Sequence, residues 1–162
     1  MTATGQLIAL DLLITVLTAA GWLGAGVAAA VRRPRTAVGL LGVALLATLA
    51  RVGSVVALAG AGWWFVQEKV LVSAPLLGVT AVVAVALAGP RLIAAVRHRV
   101  PAEPAVAVPL LAAGYASVAG LLVTMLHGYP ATWSAGLVTT AAVAAAVLAT
   151  WRVLSRPPDG SR

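Results

Sequence analysis

The chain contains no cysteine, one phenylalanine, one lysine and two histidines, and only four of its 162 residues are acidic. Without cysteine there is no disulfide, thiolate metal site or thiol nucleophile. A zinc or copper site needs three nitrogen or sulfur ligands or a carboxylate-rich set, and His98 and His127 with four scattered acids supply neither. The acids are Asp11, Glu68, Glu103 and Asp159, no two of them near neighbours in sequence. A Gly-rich phosphate loop, a GxSxG elbow and an HExxH pair are missing as well. We therefore expect no metal, no cofactor and no catalytic residue, and an enzyme is the less favoured class. No internal repeat supports an inverted-repeat transporter.

What remains is apolar. Hydrophobic residues make up 62% of the chain and charged residues 9%, against roughly 45–50% and 25% in soluble domains. A soluble fold of this length has too little interior to hide that surface, so the expected solvent is lipid. The net charge of +7 would suggest nucleic acid in a soluble protein. In a membrane protein it reads as arginines in short loops that orient the helices, and no nucleic-acid partner is expected. Ten of the eleven basic residues are arginine, and Ala, Val and Gly dominate, a composition that points to a high-GC bacterial genome. A signal peptide is not expected, because positive charge follows the first apolar run instead of preceding it.

A spanning helix needs about 20 mostly apolar residues. Five stretches qualify, at about 7–31, 36–60, 70–88, 105–126 and 132–154. The Arg32-Arg33-Pro34-Arg35 turn ends the first and Gly89-Pro90 the third, since proline cannot continue the hydrogen-bond ladder. In the basic connection from Arg91 to Pro104, Leu92–Val96 is too short to span and reads as a stretch lying on the membrane surface. With five crossings, nine basic residues (Arg32, Arg33, Arg35, Arg91, Arg97, Arg99, Arg152, Arg156, Arg162) fall on one side and only Lys69 on the other. The positive-inside rule then places the N-terminus outside and the C-terminus in the cytoplasm. The expected fold is an all-α integral membrane bundle of five transmembrane helices, multi-pass in a bacterial plasma membrane, with a disordered cytoplasmic tail at 155–162.

Arg51 falls inside the second helix. It lies nine residues before Gly60, roughly 13 Å below the outer end. An ionisable group at that depth costs about 2.5–3.5 kcal/mol and should face the bundle interior beside a partner. Ala44, Ala47, Thr48, Arg51 and Ser54 share one small, polar face, and Leu45, Leu49, Val52 and Val56 form the opposite, lipid-facing one. Asp11, Thr15, Thr18 and Trp22 form a matching face on the first helix. Asp11 is the natural partner of Arg51 and Glu68 a second candidate. Tyr115, His127 and Tyr129 complete a cluster open to the outer side. The cluster reads as a structural ion pair, as a site for a small anionic or polar ligand, a quinone headgroup or a partner's carboxylate, or as an arginine that only snorkels to the outer interface.

Trp63, Trp64, Trp133 and Trp151 fall at helix ends and read as interfacial anchors, whereas Trp22 lies deeper. The stripes Ala20-Gly24-Ala28 and Ala112-Ala116-Gly120 are helix-contact faces, within one chain or between copies in a homo-oligomer.

Three stretches, Gly62-Trp63-Trp64-Phe65-Val66-Gln67-Glu68-Lys69-Val70-Leu71, Gly114-Tyr115-Ala116-Ser117-Val118-Ala119-Gly120 and Gly128-Tyr129-Pro130-Ala131-Thr132-Trp133-Ser134, resemble the N-terminal membrane region that precedes the cupredoxin domains of some actinobacterial multicopper oxidases. The resemblance implies a module that anchors or assists an extracytoplasmic copper enzyme. No copper ligand carries over, because the His-Cys-His arrays of cupredoxins are lacking. With the C-terminus in the cytoplasm, an exported oxidase domain would need a further helix after Arg162, so the chain would be a detached membrane module or a stand-alone relative. The leading expectation is thus a non-enzymatic module for an extracytoplasmic redox partner. The alternative is a small transporter or a ligand- or quinone-binding protein built around Arg51.

The five-crossing count predicts that a cysteine introduced at Gly160 is shielded from an impermeant maleimide in intact cells and reacts after permeabilisation. Labelling in intact cells would refute the count.

Overall fold

The computed structural model describes residues 3–60, 64–125 and 133–155. Their secondary structure is entirely helical: α1 (Ala3–Ala30), α2 (Pro34–Gly60), α3 (Trp64–His98), α4 (Ala107–Met125) and α5 (Trp133–Leu154), with a single 3-10 turn, Pro104–Val106, leading into α4. An all-helical answer follows from the composition, since a helix satisfies its own backbone hydrogen bonds without water. Among the described residues, four stretches are long and apolar enough to cross a membrane: Ala9–Ala30, Pro34–Ser54, Leu76–His98 and Pro104–Leu122. Thr139–Leu154 in α5 is a shorter apolar helix.

α1 is central, with its most extensive contacts to α2 and α4; α3 closes the other side against α4 and α2, and α5 lies at the periphery, chiefly on α4. The interior is built from small residues. Ala25, Ala29, Ala37, Ala44, Ala84, Ala88, Ala107 and Ala113 are all fully buried, with Trp22, Leu92 and Leu110 as its largest apolar side chains. Leu46, Leu49, Val79, Val82 and Val153 stand outward, each 64% or more exposed. Small residues inside and branched apolar residues outside is the pattern of helices packed in lipid, where association depends on close backbone approach.

Three glycines set that approach. A Cβ on Gly21 would lie 2.9 Å from the Cα of Ala44, on Gly26 2.6 Å from the Leu111 side chain, and on Gly114 2.5 Å from the Leu23 side chain. The last two are reciprocal: each helix of the α1–α4 pair offers a glycine to the other's leucine, three residues apart. The sequence stripe at Ala20, Gly24 and Ala28 is only partly used, because Ala20 is exposed, Gly24 half-buried and Ala28 buried.

Two expectations are corrected. α3 does not stop at 88 but continues through Gly89-Pro90 to His98. Leu92–Val96 is therefore no separate surface stretch but part of the last two turns of α3, with Leu92 fully buried and Ala95 6% exposed, on the same face as Ala84 and Ala88. Proline removes one ladder hydrogen bond, a loss that apolar helices tolerate when neighbouring helices hold them. Leu45, assigned to the lipid face, is half-buried and packs on the core.

Both α1 and α3 end in the same cap. Arg32 N–H donates to Ala29 O at 3.0 Å and Arg33 N–H to Ala28 O at 2.8 Å; Arg99 N–H donates to Val96 O at 3.3 Å and Val100 N–H to Ala95 O at 3.0 Å. These are Schellman caps. The left-handed position is held by arginine in each, with φ of 61° at Arg32 and 55° at Arg99.

We predict that Gly21→Ala lowers stability in detergent by about 1–3 kcal/mol through overpacking. Gly42→Ala, where no atom lies within 4 Å of the added carbon, does not lower it. Equal thermal-unfolding losses for the two variants would contradict the close α1–α2 crossing.

Candidate functional site

The polar residues of α1 and α2 meet along one antiparallel seam. Trp22, fully buried, donates from Nε1 to Thr48 Oγ1 at 3.1 Å, and Thr48 in turn donates to the Ala44 carbonyl at 2.7 Å. At the other end of the seam, Ser54 Oγ lies 2.7 Å from Asp11 Oδ1 and donates to it. Ser54 Oγ also lies 2.9 Å from the Arg51 carbonyl. Thr15 and Thr18 are buried, and their hydroxyls donate back into α1, to Asp11 O at 2.8 Å and Ile14 O at 2.7 Å.

Arg51 lies between the two ends of this seam. It is 9% exposed, and its Nη1 is buried without a hydrogen-bond partner. Cα–Cβ bonds tilt toward a helix's own N-terminus, so in an antiparallel pair the Cβ atoms of Arg51 and Asp11 point toward opposite ends, although the Asp11 carboxylate still acts on the guanidinium through its charge. Ser54, one turn beyond Arg51, meets the carboxylate instead. The α1 hydroxyls nearest in register donate to their own backbone. A strong donor group, always charged, is thus left in a mostly apolar interior.

Of the other predicted members, Tyr115 falls elsewhere. The Tyr115 hydroxyl lies 2.8 Å from Thr150 Oγ1 and joins α4 to α5. It does not complete the Arg51 cluster. Tyr115 is eight residues into α4 and Arg51 seventeen into α2, a difference in height of roughly 13 Å between two helices that start at the same end. Thr150 lies four residues from the end of α5, and no sequence signal marks it as the partner of Tyr115. Trp151 is 50% exposed, as an interfacial anchor would be. Trp63, His127, Tyr129 and the tail 156–162 lie outside the described residues, and so do the side chains of Glu68, Trp64 and Trp133. Among the described residues, no group of three His, Cys, Asp or Glu side chains is placed to hold a metal ion.

Chemically, the seam offers a buried guanidinium with a free donor nitrogen and a carboxylate engaged by a serine hydroxyl. It can hold an anion or a carbonyl oxygen by charge-assisted hydrogen bonds. No protein-family profile, curated protein or solved structure matches the chain.

A buried donor nitrogen without an acceptor is a cost to the fold. We predict that Arg51→Met, which keeps the side-chain length, unfolds no earlier than the wild type in detergent. Ser54→Ala, which strips Asp11 of its donor, costs about 0.5–1.5 kcal/mol. A loss of about 3 kcal/mol or more for Arg51→Met would make Arg51 half of a structural ion pair.

Proposed function

We propose that the chain is a non-enzymatic, five-span membrane module whose Arg51 seam receives an anionic or carbonyl-bearing group. The observation that carries this reading is the buried Nη1 of Arg51, left without an acceptor while Asp11 is held by Ser54. A structural ion pair would bring the two charges into contact; here Asp11 acts on Arg51 only through its charge, and an intramembrane charge without a contacting partner is by default a functional hypothesis.

In this proposal α5, 22 residues long and so about 33 Å at a helical rise, is the fifth crossing. The arginine-bearing helix ends face the cytoplasm of a bacterial cell, and Arg51 is reached from the outer side. The group it receives is a small anion, a quinone headgroup, or a carboxylate presented by an extracytoplasmic redox protein. The last case unites the site with the likeness to membrane regions of multicopper oxidases, and there the module anchors or assists its partner.

Native mass spectrometry of the full chain from gentle detergent tests this. A stoichiometric adduct on the wild type, lost in Arg51→Met and kept in Arg152→Met, is the expected result. A bare chain in all three would return Arg51 to a purely structural role.

A further inference from the structure

A second basic feature lies far from Arg51, where the α1–α2 turn meets the end of α3. Arg32, Arg33, Arg35 and Arg99 line an open cleft of about 390 Å³, floored by apolar residues that include Val96 and Pro101. None of the residues lining it is acidic. A neighbouring depression, lined by Arg91 and His98, does include an acid, Glu103.

Topology alone does not call for this arrangement. The positive-inside rule asks for charge in a loop, not for four guanidiniums around one cavity. Arginines in the last turn of a helix gain from its dipole, but Arg32 and Arg99 sit past the last turn in left-handed backbone. That conformation is unfavourable for any residue with a Cβ and favours glycine. The chain has 16 glycines and places none at either position. Arg35 is worse placed still. It is the second residue of α2, at the positive end of that helix's dipole, where a cation is disfavoured. An anion in the cleft resolves all three anomalies, because it pairs the arginines and accepts from the free N–H groups at the start of α2.

We infer that this cleft binds a phosphate-bearing anionic group, and that the apolar floor beside the arginines selects the phosphodiester headgroup of an anionic lipid. Arginine suits this chemistry better than lysine because its planar fork engages two phosphate oxygens at once, and the chain's single lysine lies elsewhere. The inference stands apart from the Arg51 seam and does not depend on it.

The full-length protein, delipidated in neutral detergent, is offered equal amounts of dioleoyl phosphatidylglycerol and dioleoyl phosphatidylcholine and read by native mass spectrometry. The wild type retains the anionic lipid preferentially. The double variant Arg32→Gly/Arg99→Gly loses that preference by roughly tenfold or more, yet unfolds no earlier than wild type in neutral detergent, since glycine suits both left-handed positions. Arg35→Gln, which leaves both caps intact, loses preference in the same direction. Arg152→Gln, a basic residue of α5 outside the cleft, keeps it. A parallel arm adds inorganic phosphate alone: displacement of the lipid together with equal thermal stabilisation identifies soluble phosphate as the source of the group, and failure to displace identifies the lipid. No lipid preference in the wild type together with no stabilisation by phosphate, or an equal loss in Arg152→Gln, overturns the inference.

Discussion

Gly21 carries no side chain, and the backbone of α2 at Ala44 fills the space where one would sit. Lipid offers helices no hydrophobic reward for associating, so contact of this kind has to supply the attraction. The crossing fixes the register of everything else in the seam. It brings Trp22 under Thr48 and Asp11 beside Ser54, and it places Arg51 between those two contacts. The α1–α4 pair repeats the device with Gly26 and Gly114, so α1 is held on both flanks by backbone approach.

Against that packing, Arg51 is an expense. A charged side chain within a spanning helix costs about 2.5–3.5 kcal/mol, and a well-placed acid would recover part of it. Asp11 accepts its hydrogen bond from Ser54 and reaches Arg51 only through its charge. A residue that weakens the fold without a local return is the usual mark of a site shaped by something other than stability. The arginines of the basic cleft carry the same mark in milder form. Two occupy backbone positions that favour glycine, and one sits at the wrong end of a helix dipole.

Much of this was legible in the residues. Composition and run length gave five helices, and the 3.6-residue period gave the polar faces: Thr15, Thr18, Trp22, Ala44 and Arg51 are all buried, while Leu49 and Val52 are exposed. The errors share one origin, the use of local rules where tertiary packing decides. Gly89-Pro90 reads as a stop in isolation, but Leu92 and Ala95 continue the buried face of α3. Asp11 and Arg51 interact through their charges, as their depths suggest, but the hydrogen bond to Asp11 comes from Ser54. Tyr115 shares the core, yet its hydroxyl meets Thr150 of α5. The left-handed arginines carry no sequence signal, because a Schellman cap normally announces itself by glycine.

The chain has no cysteine of its own, which makes its interior directly readable by thiol chemistry. The most telling measurement is the reaction of Arg51→Cys, in intact cells, with an anionic membrane-impermeant thiosulfonate, alongside Leu49→Cys on the lipid face. Modification at position 51 and not at 49 is the predicted result, since an aqueous route to the seam supports thiolate formation and lipid does not. An inert position 51, or one that reacts only after the cytoplasmic side is opened, would contradict a binding seam reached from outside.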